Sequence, residues 1–183
     1  MSADLRVYVG LGSNLGDRLA SLRAAVAAIA GLPGVSLGRC SSVWETHPVG
    51  PGTGPFLNTA IELVEVTADP RALLDELLAI ERARGRVRRE RWGDRTLDLD
   101  LLCGCTGPQG DELVLAVPGL TLPHPELGQR DFVLQPLVDL DPALRVGGRT
   151  VAGMLAALPE DRRTLLRRLD ARLDPCLDDD ESG

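Results

Sequence analysis

Two aspartates, Asp98 and Asp100, stand one residue apart in R-W-G-D-R-T-L-D-L-D-L-L, residues 91–102. Leu97, Leu99 and Leu101 take the other parity, and a period of two is that of a half-buried strand. With the leucines turned to a core, both carboxylates project from the opposite face, roughly 7 Å apart at two strand steps. Like charges so placed repel, so a cation belongs between them. Hard divalent ions held by carboxylates and phosphates suit such a pair. A solvated strand face that happens to be acidic is the plain alternative.

Seven arginines, from Arg82 to Arg95, crowd the segment before this strand. Paired carboxylates beside many guanidinium groups are the equipment of polyphosphate chemistry: metal ions bridge phosphate oxygens while arginine forks grip and neutralise them. All 20 basic residues are arginines. Without lysine, the chain has no G-x-x-x-x-G-K-[ST] phosphate loop, and an ordinary P-loop NTPase is excluded. A metal-dependent phosphohydrolase would use the same carboxylates but needs a general base for its water, and no histidine or cysteine lies in this stretch.

Trp92, inside the polar arginine segment, suits closing over a flat ligand. Phe56 and Phe132 are the only phenylalanines. A flat heterocycle fits between two such rings, with the Asn58 amide reading its polar edge; packing in the core is the plainer role for both rings. His124, held between two prolines, either donates to a phosphate or sits at the surface.

These residues need elements to carry them. Leu5 to Leu11 alternates as a first strand, and Asp17 caps a helix to about Ala30. Gly10, Gly12 and Gly16 miss the G-x-G-x-x-G spacing of a dinucleotide-binding turn by one place, so a tight strand-to-helix turn is their expected role. Ser36 to Glu45 predicts a second strand, followed by the loop T-H-P-V-G-P-G-T-G-P, and Phe56 to Val66 a third. Asp69-Pro70 opens a helix to about Ala83. After the Asp98/Asp100 strand, Gly104 to Gly110 reads as a turn, Leu113–Val117 with Leu120–Leu122 as a hairpin, and 132–138 and 151–158 as short helices. Thr164 to Leu173 is ambiguous between strand and helix. The order strand, helix, strand, strand, helix, strand predicts an α+β fold. It is a ferredoxin-like βαββαβ antiparallel sheet with helices on one face, plus an added hairpin and C-terminal elements.

Length and composition agree with one domain over residues 1–173. The 183 residues are 44% hydrophobic and 26% charged, with a net charge of −7. An acidic domain is a poor general binder of nucleic acid, and a ferredoxin-like nucleic-acid module would want mid-strand aromatics where this chain has aspartates. No apolar run reaches the ~20 residues of a membrane span. Four cysteines without a C-x-x-C pair, and an N-terminus without a basic-then-apolar leader, make a reducing cytoplasm the expected location. Residues 174–183, rich in aspartate, read as a disordered acidic tail.

V-Y-V-G-L-G-S-N-L-G-D, F-L-N-T-A, G-R-V-R-R-E-R-W-G-D-R-T-L-D-L-D-L-L and L-T-L-P-H-P-E-L-G-Q-R-D-F-V-L-Q-P-L together resemble the 6-hydroxymethyl-7,8-dihydropterin pyrophosphokinase family of folate biosynthesis, over about residues 5–160. The resemblance implies transfer of pyrophosphate from ATP to the pterin hydroxymethyl group, with release of AMP. It implies that Asp98 and Asp100 hold two Mg²⁺ ions and that Arg86 and Arg95 engage the phosphates near the transition state. Glu81, Arg88, Arg91, Leu101, Thr121, His124 and Arg130 fall at its ATP positions, and Trp92 on a loop that seals the site. Thr46, Val49, Phe56, Asn58, Trp92, Asp98 and Phe132 fall at its pterin positions. A monomer is the expected state, with association with other folate enzymes open. Phe56 stands where the family commonly has tyrosine, and the arginine segment is one residue short between Arg88 and Arg91.

Overall fold

The computed structural model describes residues 5–50, 52–84, 94–107 and 109–173. Strand β1 (Arg6–Ser13) leads into helix α1 (Arg18–Ala30), whose first turn is closed by the Asp17 carboxylate accepting the Ala20 amide at 3.0 Å. The expected second strand is two, β2 (Ser36–Cys40) and β3 (Val43–Thr46). The break is chemical. Ser41 uses both its amide and its hydroxyl on Ala60, donating to the carbonyl and accepting from the amide, each at 2.9 Å. Both pieces still run along one partner, β4 (Phe56–Val64). That strand stops two residues short of Val66 because Glu65 takes a left-handed conformation, φ 51°. Helix α2 (Pro70–Ala83) starts as expected, with the Asp69 carboxylate accepting the Arg71 and Ala72 amides and Pro70 in the first turn.

Strand β5 (Asp98–Thr106) runs through Gly104 instead of turning there. A Cβ at Gly104 would lie 2.9 Å from the Arg6 carbonyl oxygen, so this glycine serves close strand approach, and the chain turns only after Thr106, where the Gly110 amide donates to the Gly107 carbonyl at 3.2 Å. Beyond it come β6 (Asp111–Glu112), the hairpin β7 (Leu115–Val117) and β8 (Leu120–Leu122), and a 3₁₀ turn at Leu127–Gln129. Then follow α3 (Asp131–Leu140), the small hairpin β9 (Arg145–Val146) and β10 (Arg149–Thr150), α4 (Val151–Ala156) and β11 (Leu165–Leu169). The ambiguous segment is thus a strand, paired with β3. The acidic tail lies outside the described residues.

The sheet order is β11–β3–β4–β1–β5–β6, every neighbouring pair antiparallel, with β2 also on β4. Helices cover both faces, a correction to the one-faced expectation. On one side Val7, Val9, Ile61, Leu63 and Leu99 pack with Leu22, Val26 and Ile29 of α1 and Leu73 and Leu77 of α2. On the other, Tyr8, Ala60 and Leu102 pack with Leu134 and Leu137 of α3 and Met154 of α4. Each fully buried leucine contributes about 1.5–3 kcal/mol, so the second layer is a core in its own right.

A bulge fits β5 to both layers. Val9 pairs with Leu101 but Tyr8 with Cys103, leaving Leu102 as the extra residue. Leu101 therefore joins the α1/α2 core, while Leu102 and Cys103 both enter the α3/α4 core. Asp98 and Asp100 lie just before the bulge.

Candidate active site

The two aspartates open onto a cavity of about 400 Å³ on the α3 side of the sheet. Its floor is β1, where Gly10 pairs with Asp100 and Gly12 with Asp98. The glycines belong to the strand rather than to a strand-to-helix turn, which corrects their expected role; only Gly16, φ 64°, serves the turn. A Cβ on Gly12 would approach Asn58 Oδ1 to 2.9 Å, and one on Gly10 would press on Leu102 at 3.2 Å. Bare backbone opposite each carboxylate keeps the space beside it open.

The walls converge from distant segments. Thr46, Val49, Phe56 and Asn58 line the cavity together with Arg95, Asp98, Asp100, His124, Arg130 and Phe132. A second cavity of about 310 Å³ adjoins, sharing Asp100 and His124 and adding Leu101 and Thr121. Glu81 is not brought to either. It is 2% exposed, and its Oε1 accepts the Leu99 amide at 2.7 Å. Arg86, Arg88, Arg91 and Trp92 lie outside the described residues.

Asn58 Nδ2 donates to Thr46 Oγ1 at 2.8 Å, so the amide is fixed with one edge spoken for. The Arg95 guanidinium pairs with Asp98 Oδ2. Arg130 pairs with Glu126 and holds its guanidinium 5.7 Å from the Phe132 ring centroid. Burial pulls the Arg130 pKa down while Asp100 and Asp98 push it up; a guanidinium so placed remains a cation. Burial likewise lowers the His124 pKa, against the pull of Asp100. The imidazole Nδ1 accepts the Glu126 amide at 3.2 Å, which leaves Nε2 as the donor of the neutral ring. The His124 amide donates to the Leu102 carbonyl at 2.7 Å and seats the 123–126 kink on β5.

Two features of the site escape sequence reasoning. Asp131 is fully buried and accepts from the Thr164 amide, the Thr164 hydroxyl at 2.6 Å and the Leu165 amide at 2.9 Å. It fixes the start of α3, and with it Phe132, against the strand that ends the fold. Asn14, Thr53 and Asp94 form a hydrogen-bonded group joined to the backbone of Arg95. They come from three separate loops, and no spacing in the chain announces them.

An antiparallel sheet between two helical layers, with a cleft where aromatic rings adjoin paired carboxylates and guanidinium groups, defines an α+β protein with a half-apolar, half-charged ligand site. The chain belongs to the 7,8-dihydro-6-hydroxymethylpterin-pyrophosphokinase (HPPK) family, whose sequence model matches residues 8–142. The 2-amino-4-hydroxy-6-hydroxymethyldihydropteridine pyrophosphokinase of Pseudomonas aeruginosa is 43% identical over 155 residues, covering 84% of this chain and 92% of that one. The enzyme of the same name from Methylorubrum extorquens is 41% identical over 154 residues, 84% of this chain and 93% of that one. Among solved structures, Plasmodium falciparum HPPK-DHPS with pterin and p-hydroxybenzoate overlays with a TM-score of 0.61 at 14% identity. An HPPK-DHPS in complex with substrates gives 0.59 at 12%. At these identities the likeness is of fold. The overlays cover 85% and 84% of this chain but 43% of each of those longer chains.

Proposed function

We propose that the chain transfers pyrophosphate from ATP to 6-hydroxymethyl-7,8-dihydropterin, giving the pterin pyrophosphate and AMP in folate biosynthesis. The observation that carries this reading is one cavity holding Phe56, Asn58 and Phe132 together with Arg95, Asp98 and Asp100. A pterin is flat and carries donors and acceptors on its edge; its hydroxymethyl group must meet a polyphosphate. The cavity answers both demands within one volume.

The donor set fits magnesium. Asp98 and Asp100 are hard oxygen ligands on one strand face, and the described residues hold no cluster of three or more metal-binding side chains. Magnesium is usually bound by one or two carboxylates with substrate phosphates and water completing the octahedron, and two ions are the number we assign here. Held by Asp98 and Asp100, such ions would supply Lewis-acid stabilisation of the charge that develops during transfer.

The chain's own residues do the positioning. Phe56 and Phe132 hold the ring, Asn58 reads its edge, and the segment with Thr46 and Val49 borders it. Arg95, Arg130 and the His124 Nε2 donor meet the phosphates, with Leu101 and Thr121 of the second cavity on the nucleotide. Arg86, Arg88, Arg91 and Trp92 are assigned from sequence alone, Arg86 to the transferring group and Trp92 to the seal. Glu81 acts on the ATP side through β5. The hydroxymethyl oxygen attacks the β-phosphorus in line and gives up its proton to water, the bond from the β-phosphorus to the α,β-bridging oxygen breaks, and AMP departs with that oxygen. Most of the acceleration comes from alignment and from guanidinium groups already in place.

The strand order supports reading the core as a ferredoxin-like βαββαβ sheet, with residues 1–173 as one catalytic domain. We place the protein in the cytoplasm as a monomer, within reach of neighbouring folate enzymes; no helix among the described residues is long and apolar enough to cross a membrane. Incubation with ATP, Mg²⁺ and the hydroxymethyl dihydropterin tests the reading. AMP formed only with pterin present supports it; ADP and inorganic phosphate formed without pterin would sink it.

A further inference from the structure

One carboxylate ties the loop before Phe56 to the residue that grips Arg95. Asp94 Oδ1 accepts the Thr53 amide at 2.9 Å and the Asn14 side-chain amide at 2.6 Å, while Oδ2 accepts the Thr53 hydroxyl at 2.6 Å. Charge-assisted bonds of this length are among the stronger ones. They hold the Asp94 carboxyl below its ordinary range, the Thr53 hydroxyl having the largest effect. Thr53 stands in sequence between Val49 and Phe56, both of which line the cavity. Asn14 turns its other amide atom to Arg95: Oδ1 accepts the Arg95 amide at 2.6 Å, and the Asn14 amide donates to the Arg95 carbonyl at 3.0 Å. Both backbone polar groups of Arg95 are thus gripped by one residue, whose side-chain orientation is set by Asp94. The packing is close, since a Cβ on Gly52 would come within 3.3 Å of Asp94 Oδ1 and 3.6 Å of the Phe56 ring.

We propose that Asp94, with Thr53 and Asn14, is a positioning clasp that couples the ring-binding end of the cleft to Arg95 at its phosphate end. Asp94 touches neither substrate. A ring bound against Phe56 steadies the 52–55 segment, the Thr53 donors steady Asp94, and Asp94 through Asn14 steadies the backbone from which Arg95 reaches Asp98. The coupling is reciprocal, as any linkage between two sites must be. This inference rests on the function proposed above for its substrates but not for its contacts.

Two variants separate the coupling from simple loop stability. Thr53→Val removes the hydroxyl donor at nearly constant volume, and Thr53→Ser restores it. In the full-length free protein, Thr53→Val should raise hydrogen exchange at the Arg95 amide about tenfold or more, with Thr53→Ser close to the parent. Unchanged exchange at Arg95 in Thr53→Val overturns the clasp. In steady state, Thr53→Val and Asp94→Asn should each lower both kcat and kcat/KM for the pterin about tenfold, and the double variant should fall no further than Asp94→Asn alone. Losses that simply multiply, or a rise in pterin KM with kcat unchanged, overturn the coupling. A parent protein that forms no AMP would dismiss the proposed reaction, while the exchange measurement still decides the clasp.

Discussion

Glu81 Oε1 accepts the Leu99 amide at 2.7 Å, tying the last turn of α2 to the outer edge of β5. That edge needs a partner because β6 pairs only with Cys105 and Thr106. The amide so satisfied sits between Asp98 and Asp100, so a helix on the far face of the sheet helps hold the strand that presents both carboxylates.

Glu81→Ala should therefore act on stability before it acts on nucleotide. A buried amide left without its acceptor costs about 1–3 kcal/mol, read as a lower midpoint in urea unfolding. Glu81→Gln keeps an acceptor oxygen and should recover most of that loss. Equal destabilisation by both variants would argue that the charge, not the acceptor, is what β5 requires.

Asp98→Asn and Asp100→Asn should each cut AMP formation by on the order of 100-fold or more while the thermal midpoint stays close to that of the parent. Both side chains line an open cavity, so folding gives little to lose. Higher magnesium should rescue neither variant fully, because an amide is a poor substitute for a carboxylate toward a hard cation. Near-normal turnover in either variant would remove that residue from the metal assignment.

Gly12→Ala tests the cleft floor. The added methyl group meets Asn58 Oδ1 at 2.9 Å, a contact that real side chains avoid, so the amide must shift off Thr46. The pterin KM should rise about tenfold with the ATP KM little changed, a loss of the size of one misplaced hydrogen bond. Equal effects on both KM values would mean the strand itself had moved.

Acid should loosen the β11 edge first through Glu45. The Arg167 guanidinium, 2.8 Å away, is the chief cause of its lowered pKa; burial works in the opposite sense, and Arg18 at 3.0 Å adds to the lowering. A carboxyl whose folded pKa is depressed contributes stability above its unfolded value of about 4.3, and that contribution disappears as pH falls through the folded value. Unfolding followed from pH 6 to 3 should show a shallower acid limb in Glu45→Gln than in the parent. Identical limbs would show that the pair does not contribute.

Local pattern announced some of this architecture and could not announce the rest. The Asp–Leu alternation at 97–101 placed the carboxylates on the face opposite the α1/α2 core, because strand parity is a property of neighbouring residues alone. The bulge at Leu102 exists only relative to the register of β1, so nothing within β5 encodes it. Gly104 looked like a turn because glycine permits one, yet its lack of a side chain answers to the Arg6 carbonyl across the ladder. Ser41 interrupts β2 and β3 by bonding to Ala60, a residue 19 positions away. The second helical layer lies beyond that pattern for a related reason: alternation in β1 reports one apolar face, whereas Tyr8 and Gly10 on the other parity meet the α3/α4 core and the cleft. Residue type offers Phe56, Asn58 and Phe132 as either a ring-and-edge set or core packing, and no spacing decides between them, since the three span 76 positions and meet only through tertiary packing.

The β5 bulge lets one strand serve two masters that tolerate change differently. Leu97, Leu99 and Leu101 answer to the volume of the α1/α2 core and can drift among aliphatic residues of similar size. Asp98 and Asp100 answer to chemistry and cannot. Because the extra residue at Leu102 comes after both, length changes in the 107–110 turn are absorbed downstream, and the reactive pair keeps its phase. Within β5, variation in length among natural relatives should therefore collect beyond Leu102 and stay rare from Asp98 to Leu101, which makes the bulge a boundary between a stretch free to evolve in length and one held to a fixed count.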